Sequence, residues 1–180
     1  MKILIIGMLG SGKSTLSYEI NKKYNVPRLN LDEVSRNPKD GSYYNKLEQF
    51  SKLYEFTELN DDWVIEGCQK YLYEDLKPDL IIHTDISRLN AACRIYKRFN
   101  QAEALLGKKI DKNLPVQHYH YRKNKFTKLK QYSRINKLIS FEIEDFVYDR
   151  KPNLVKIKSK RNYKKLFQKL EKNYGISKTS

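Results

Sequence analysis

Near the start of the chain lies a stretch suited to binding phosphate. It reads Gly7-Met8-Leu9-Gly10-Ser11-Gly12-Lys13-Ser14-Thr15, which fits a glycine, four residues and then Gly-Lys-Ser. In such a loop, backbone N–H groups surround the phosphate oxygens, the lysine reaches the β- and γ-phosphates, and the next hydroxyl ligates Mg²⁺. We therefore predict that this phosphate loop (residues 7–15) binds ATP and Mg²⁺, with Lys13 catalytic and Ser14 a metal ligand. The predicted nucleotide contacts are Gly7, Leu9, Gly10, Ser11, Gly12, Lys13, Ser14 and Thr15.

The residues on either side of the phosphate loop support this prediction. Ile3-Leu4-Ile5-Ile6 is a short apolar run, typical of a strand buried on both faces of a parallel sheet. Leu16 and Ile20 are four residues apart, so a helix is predicted to begin at about Lys13. A strand, a glycine-rich turn and a helix N-terminus direct N–H groups and the positive end of the helix dipole at one anion. The alternative, a chance match in a glycine turn, does not account for these flanks.

Asp32 is the predicted acceptor-side carboxylate. It ends a second short strand, Val26–Asp32, and ligands of parallel sheets lie outside the carboxyl ends of the strands. There Asp32 would orient or deprotonate an acceptor hydroxyl, or hold metal if the acceptor is a phosphate. A helix cap or a turn aspartate is the alternative. Arg36, at the start of the turn-rich segment 36–45, is assigned with Asp32 to substrate binding, and a helix over 43–59 is predicted to stand above the acceptor.

Two more predicted strands end in acidic residues at the same crevice. The strand Trp63–Gly67 places Glu66 and Gly67 where they either meet the acceptor or a metal-bound water, or form only a strand-end turn. The strand Leu80–Asp85 ends in Asp85, which either ligates Mg²⁺ through water or caps the following helix. His83 in this strand is expected to be a packed residue rather than a catalyst.

A pair of arginines is the predicted charge clamp for phosphoryl transfer. From Ser87, a good helix cap, a helix is predicted to run toward Gly107. Arg94 and Arg98 are four residues apart, so both guanidinium groups lie on one helix face. Fixed positive charge stabilises the oxygens of a moving phosphoryl group. The alternative is a solvated charged face.

The positive charge of the chain is concentrated in two late blocks. The formal net charge is +15, but residues 1–93 carry 12 basic and 14 acidic side chains, whereas residues 94–137 carry 13 basic and 2 acidic ones. This basic segment (residues 94–137) interleaves its charges with aromatic residues, which suits either a lid over ATP or the binding of nucleic acid. A solvated Lys-rich surface is the alternative, and residues 150–180 form the second basic block.

The remaining pattern predicts one α/β domain over residues 1–180. A fifth strand is predicted at Asn153–Ile157 and a closing helix at Tyr163–Tyr174, while Phe141–Tyr148 is predicted to be a short helix or a hinge. Five strands alternating with helices predict a parallel sheet with helices on both faces. The two cysteines form no disulfide framework, and no apolar run is long enough to span a membrane. We therefore expect a cytoplasmic protein without a membrane partner, and leave the oligomeric state open.

In the order of these motifs, the chain resembles the small P-loop kinases of the adenylate-kinase-like group. It is most similar to the bacterial DNA topology modulation protein family, and the resemblance covers roughly residues 1–100 and, more faintly, the last strand and helix. The matching residues are Gly10 to Thr15, Leu31-Asp32, Trp63 to Gly67, and Asp85 followed by Arg94 and Arg98. The resemblance implies a P-loop NTPase fold with a basic helical lid. Two departures affect the acceptor side: Glu33-Val34-Ser35-Arg36 stands where the family often has an aromatic residue, and the basic segment is longer.

These observations predict an ATP- and Mg²⁺-dependent phosphotransferase that acts on a small acceptor, a nucleoside or nucleotide. Two alternatives stay open. A 5′-hydroxyl polynucleotide kinase would use the basic segment to hold its acceptor, and a non-catalytic regulatory protein would use ATP to control nucleic-acid binding. The grouping of Asp32, Arg94 and Arg98 with the phosphate loop favours an enzyme, because a switch needs no acceptor-side carboxylate.

Overall fold

A parallel sheet lies at the centre of the computed structural model, which describes residues 1–37, 42–106, 125–148, 150 and 153–174. Its strands are β1 Lys2–Gly7, β2 Arg28–Asn30, β3 Trp63–Gly67, β4 Leu80–Thr84 and β5 Leu154–Lys156. They pair in the order β2-β3-β1-β4-β5, and every pair is parallel. The helices are α1 Lys13–Tyr24, α2 Leu31–Ser35, α3 Lys46–Leu59, α4 Lys70–Tyr73, α5 Arg88–Leu106, α6 Lys125–Tyr148 and α7 Tyr163–Tyr174. The predicted α/β fold with a five-stranded parallel sheet is confirmed.

The position of β1 in the middle of the sheet explains why its sequence is continuously apolar. Successive side chains of a strand point to opposite faces, and both faces of β1 are covered. Leu4 and Ile6 face one core, to which α6 contributes Ile143 and Phe146. Ile3 and Ile5 face the other core. Helices α1 and α7 cover this second core with Leu16, Ile20, Tyr24, Leu166 and Leu170.

The strand register places the phosphate loop between two neighbouring strand ends. Ile6 is level with Gly67 at the end of β3, and Gly7 is level with Thr84 at the end of β4. Because all strands are parallel, their carboxyl ends meet at one edge of the sheet. The loop that follows β1 is therefore flanked by the ends of β3 and β4.

The second strand is shorter than predicted, and Asp32 does not end it. Asn30 accepts a hydrogen bond from the Asp32 N–H at 2.9 Å and caps α2, in which Asp32 lies. The helix α3 begins at Lys46 rather than at Tyr43, because Asn45 and Glu48 form a reciprocal capping box. Ser87 caps α5 as predicted, through its hydroxyl oxygen and the Asn90 N–H at 3.2 Å.

The segment Phe141–Tyr148 is neither a short separate helix nor a hinge. It forms the last part of the 24-residue helix α6, whose residues Ile139, Ile143 and Phe146 are buried against the sheet. Burial of this apolar stripe is what fixes the helix on the sheet. The fifth strand is limited to Leu154–Lys156, and residues 107–124 of the predicted basic segment lie outside the described residues. In the described part of the chain, no helix is both long and apolar enough to cross a membrane.

Candidate active site

Two glycines give the phosphate loop its shape. Gly10 has φ 78° and Gly12 has φ 99°, both in the left-handed region that favours glycine. A Cβ atom on Gly10 would lie 2.7 Å from the Ala91 carbonyl oxygen and 2.9 Å from Ile95 Cγ1. Helix α5 therefore packs directly against the loop backbone, and a side chain at position 10 would separate them.

Lys13 begins helix α1 and folds back over the loop. Its side chain is largely buried, with 8% of the residue exposed, and Nζ donates a hydrogen bond to the Met8 carbonyl oxygen at 3.0 Å. Ser14 and Thr15 lie beside it in the first turn of α1, where backbone N–H groups have no partner within the helix. Ser14 is exposed and Thr15 is half-buried. The turn thus offers an ammonium group, free N–H groups and a hydroxyl to an anion with its metal ion.

A chain of hydroxyl groups fastens the loop to β4. Thr84 Oγ1 donates to the Ile6 carbonyl oxygen at 3.1 Å, so Ser11 donates to Thr84 over the 2.6 Å between their hydroxyl oxygens. A Cβ atom on Gly7 would lie only 2.0 Å from Thr84 Oγ1. Gly7 is therefore required for close packing of the loop on β4.

Arg94 reaches the same loop from α5. Its Nη1 donates to the Ser11 carbonyl oxygen at 2.8 Å. Arg98 is one turn further along the helix and is exposed, as is Lys97. A pocket of about 310 Å³ opens between these cations and the loop. Its lining comprises Ser11, Gly12, Thr15, Thr84, Ile86, Arg94, Lys97, Arg98, Ile157, Ser159 and Tyr163.

Asn136 on α6 also supports the loop, and no motif in the sequence indicated this contact. Asn136 is 2% exposed, its Oδ1 accepts from the Leu9 N–H at 2.9 Å, and its Nδ2 donates to the Leu9 carbonyl oxygen at 3.2 Å. The only local signal is the apolar spacing of Ile135, Ile139 and Ile143, which predicts a helix but not the partner of an asparagine on it.

Asp32 faces the carboxyl end of β3, where Gln69 holds it. Gln69 Nε2 donates to Asp32 Oδ1, and Gln69 Oε1 accepts from the Cys68 N–H at 3.0 Å. A Cβ atom on Gly67 would lie 2.7 Å from Leu31 Cβ, so helix α2 packs tightly on the strand end. The structure thus brings Asp32 and Gly67 together, through a glutamine that the sequence analysis did not single out.

The pKa of the Cys68 thiol depends on burial and on the charged groups around it. Burial raises the pKa of its thiol to about 11, while the Lys13 ammonium lowers the pKa and the carboxylates of Asp32 and Glu66 raise it. Lys13 of the phosphate loop and Asp32, held by Gln69 at the end of β3, therefore both act electrostatically on the same thiol. The Cys68 thiol is therefore protonated at neutral pH.

Glu66 is buried and already bound. Arg28 Nη2 donates to Glu66 Oε1 at 3.1 Å, and Arg28 Nε donates to the Ser17 hydroxyl oxygen at 2.7 Å. The side chain of Glu66 is 2% exposed, against 25% for Arg28. The sequence analysis assigned Glu66 to the substrate without its partner Arg28, which links β2, β3 and α1.

The two remaining predicted site residues, Asp85 and Arg36, are half-buried. Asp85 is half-buried just after β4, and its N–H donates to the His83 carbonyl oxygen at 3.0 Å. Arg36 packs on the Tyr43 ring, with 4.3 Å from the guanidinium carbon to the ring centroid, and donates to the Tyr43 hydroxyl. His83 is a packed residue as expected, and burial lowers its pKa.

The donor atoms near the loop are suited to Mg²⁺ rather than to a transition metal. Within the described residues, no group of three or more His, Cys, Asp and Glu side chains is arranged to hold a metal ion. Mg²⁺ commonly keeps several waters and is bound by few protein oxygens together with substrate phosphates. The Ser14 hydroxyl and the carboxylates at the strand ends are oxygen donors of this kind.

Comparison with known proteins identifies the fold. No protein-family model and no curated protein matches the chain. A deoxyadenosine kinase from M. mycoides with bound dATP matches 95% of this chain and 100% of its own, with TM-score 0.61 and 19% identity. Shikimate kinase from Aquifex aeolicus vf5 matches 98% of this chain and 100% of its own, with TM-score 0.51 and 18% identity. The chain has the fold of the P-loop kinases.

A third structural match is an uncharacterized protein from Eubacterium ventriosum ATCC 27560. It covers 96% of this chain and 99% of its own, with TM-score 0.53 and 16% identity. At such identities the likeness concerns the P-loop kinase fold, so the site has to be interpreted from this chain's own residues. Membership of the DNA topology modulation family stays a prediction.

Proposed function

We propose that the chain is an ATP- and Mg²⁺-dependent kinase that phosphorylates a hydroxyl group of a small acceptor, a nucleoside or nucleotide. The observation that carries the proposal is the convergence of three groups on one sheet edge. Lys13 and Arg94 contact the phosphate loop after β1, and Gln69 holds Asp32 at the end of the neighbouring strand β3. A nucleotide-binding switch needs the first two groups but not an acceptor-side carboxylate.

In the proposed reaction the oxygen of an acceptor hydroxyl attacks the γ-phosphorus of ATP. A new P–O bond forms, the bond from that phosphorus to the β–γ bridging oxygen breaks, and ADP leaves with the electron pair. Asp32 accepts the hydroxyl proton. Lys13, Arg94 and Arg98 offset the charge on the transferring oxygens. Mg²⁺, held by Ser14 and through water by Asp85, would neutralise charge on the β- and γ-phosphates when bound.

The pocket beside the loop supports a nucleotide as the phosphoryl donor. It adjoins Gly12 and Thr15, and its lining also includes the aromatic ring of Tyr163 together with Ile86 and Ile157. A base and its ribose fit such a mixed lining, with the triphosphate extending into the loop. On the acceptor side we assign Arg36 and Gly67 to binding, whereas the predicted substrate residue Glu66 is paired with Arg28. The M. mycoides deoxyadenosine kinase, solved with dATP or dCTP bound, supports a nucleoside acceptor.

The test is an ATP-consumption assay with Mg²⁺ across nucleosides, nucleoside monophosphates, sugars and 5′-hydroxyl oligonucleotides. Turnover should be stimulated by one class of small compound, be abolished by Lys13→Ala, and be retained by Lys22→Ala, an exposed lysine at the other end of α1. If Lys13→Ala binds and turns over ATP like the wild type, the assignment fails.

A polynucleotide acceptor is the second candidate, on the evidence of exposed positive charge. Lys97 and Arg98 border the pocket, and Lys130, Arg134 and Lys137 are exposed on α6. Binding through such a surface releases counterions, so affinity for a 5′-hydroxyl oligonucleotide should fall steeply with salt. Turnover stimulated by oligonucleotides alone would select this candidate, and salt-independent affinity would reject it.

A further inference from the structure

We propose that Asn136 is a positioning residue for the phosphate loop, acting on nucleotide binding through the backbone of Leu9. The inference rests on the proposed function, because it concerns the same loop. One carboxamide serves both polar groups of Leu9, taking the N–H at 2.9 Å and giving a hydrogen bond to the carbonyl oxygen at 3.2 Å. No motif in the sequence assigns a role to this asparagine.

The first contact fixes the peptide group between Met8 and Leu9. A trans peptide directs its carbonyl oxygen and its N–H to opposite sides, and the described residues contain no cis peptide bond. Lys13 Nζ binds the Met8 carbonyl oxygen at 3.0 Å, while Asn136 binds the Leu9 N–H. Asn136 therefore fixes the orientation of this peptide plane, and with it the Met8 carbonyl oxygen that binds the catalytic Lys13 ammonium group.

The second contact fixes the next peptide group, between Leu9 and Gly10. With the Leu9 carbonyl oxygen held toward α6, the Gly10 N–H points away from α6. Gly10 has φ 78°, and a glycine allows this peptide to rotate at little steric cost. The Asn136 amide prevents that rotation, and so keeps one N–H donor of the loop in a defined direction.

Helix α6 is anchored well enough to act as a support. Asn136 is followed by Ile139 and Ile143, which are 7% and 0% exposed in the core below the sheet. Its own carbonyl oxygen accepts from the Ser140 hydroxyl at 2.7 Å. A buried asparagine could also serve only to satisfy its neighbours, so the test has to separate loop positioning from general stability.

The experiment measures the affinity of the full-length protein for Mg·ATP by calorimetry, with a thermal unfolding curve for each variant. Asn136→Ala should weaken binding about tenfold, because two ordinary hydrogen bonds no longer hold the loop. The matched control is Asn21→Ala, a half-buried asparagine that donates to the Val26 carbonyl oxygen at 2.9 Å at the far end of α1. This control should bind Mg·ATP like the wild type.

A second variant covers the case in which Asn136→Ala does not fold. Asn136→Asp has the same shape and lacks the donor while ionised, but a protonated carboxyl group again offers one donor and one acceptor. Burial raises the pKa of a carboxyl group introduced there. The Mg·ATP affinity of this variant, relative to the wild type, should therefore recover as the pH is lowered from about 8.5 to about 6.

The results for the two Asn136 variants decide whether Asn136 positions the phosphate loop. If Asn136→Ala folds, weaker binding per folded molecule supports the inference, and a lower unfolding temperature with unchanged affinity per folded molecule overturns it. If Asn136→Ala does not fold, a pH-dependent deficit in Asn136→Asp supports the inference, and a deficit that does not vary with pH overturns it. Lys13→Ala is measured in parallel, and if that variant also binds Mg·ATP normally, the proposed function fails separately.

Discussion

Lys13 and Asn136 hold the two ends of one peptide group, the one that joins Met8 to Leu9. The lysine ammonium binds its carbonyl oxygen at 3.0 Å, and the asparagine carboxamide binds its N–H at 2.9 Å. Thr84 and Arg94 fix Ser11 in the same loop. The loop is thus shaped by its own protein, and a bound anion does not have to order it, which favours affinity.

The two arginines of α5 should differ in their effects. Arg94 supports the loop through the Ser11 carbonyl oxygen, whereas Arg98 is exposed on the pocket rim. We expect Arg94→Ala to lower kcat/KM for ATP by about 10- to 100-fold, and Arg94→Lys to recover little, because lysine cannot reproduce the planar guanidinium contact. Arg98→Ala should lower kcat and leave ATP affinity near that of the wild type. Steady-state kinetics at varied ATP check this, and equal losses in both alanine variants would contradict it.

Gln69 should affect the acceptor and not the donor. It holds Asp32 Oδ1 and the Cys68 N–H, so Gln69→Ala frees the carboxylate to rotate away from the acceptor hydroxyl. We expect kcat to fall about tenfold with unchanged Mg·ATP affinity. Gln168→Ala, an exposed glutamine on α7, is the matched control. A parallel loss of Mg·ATP affinity in Gln69→Ala would show that the residue supports the whole site instead.

The Arg28–Glu66 pair should be strongly coupled. Arg28→Met would leave a carboxylate that is 2% exposed without its cation, at a cost of about 2–4 kcal/mol in the free energy of unfolding. Glu66→Gln removes the charge and should cost less. The double variant should be more stable than the sum of the single effects predicts. Urea unfolding at neutral pH measures the cycle, and additive effects would mean that the pair contributes no coupling.

The two thiols should react at very different rates. Burial raises the pKa of Cys68 to about 11, whereas Cys93 is exposed on α5. The thiolate is the reactive form, so at about pH 8 the Cys68 thiol should alkylate roughly a hundredfold more slowly than a thiol of ordinary pKa. Its rate should rise with pH until it approaches about pH 11, and in the denatured chain both cysteines should react alike. Mass spectrometry after timed iodoacetamide treatment follows each site, and fast labelling of native Cys68 would contradict the burial.

The sequence predicted those parts of the fold that follow from local pattern. The strand Trp63–Gly67 was predicted with its observed bounds, because its short length and its aromatic and β-branched residues favour a strand over a helix. Asp32 was misplaced at a strand end, although Asn30 and Glu33 have the spacing of a helix start. The segment Phe141–Tyr148 was predicted to be a short helix or a hinge, and not the end of the 24-residue helix α6, because the basic first half of that helix concealed the apolar spacing from Ile135 onward.

The supports of the site could not be predicted in the same way. Gln69, Arg28 and Asn136 have ordinary side chains, and each gains its role from a partner distant in sequence or on another element. A sequence motif consists of residues at a fixed spacing along the chain, as in the phosphate loop. Contacts between elements depend on how the helices pack on the sheet, which the local pattern does not specify.

The order in which the supports occur along the chain has a consequence for its synthesis. The phosphate loop leaves the ribosome first, followed in turn by Thr84, Arg94 and Asn136. A nascent chain that ends before Asn136 contains the complete nucleotide-binding motif but leaves both polar groups of Leu9 without this partner. A truncated chain that carries the intact motif should therefore compete poorly with the finished protein for ATP.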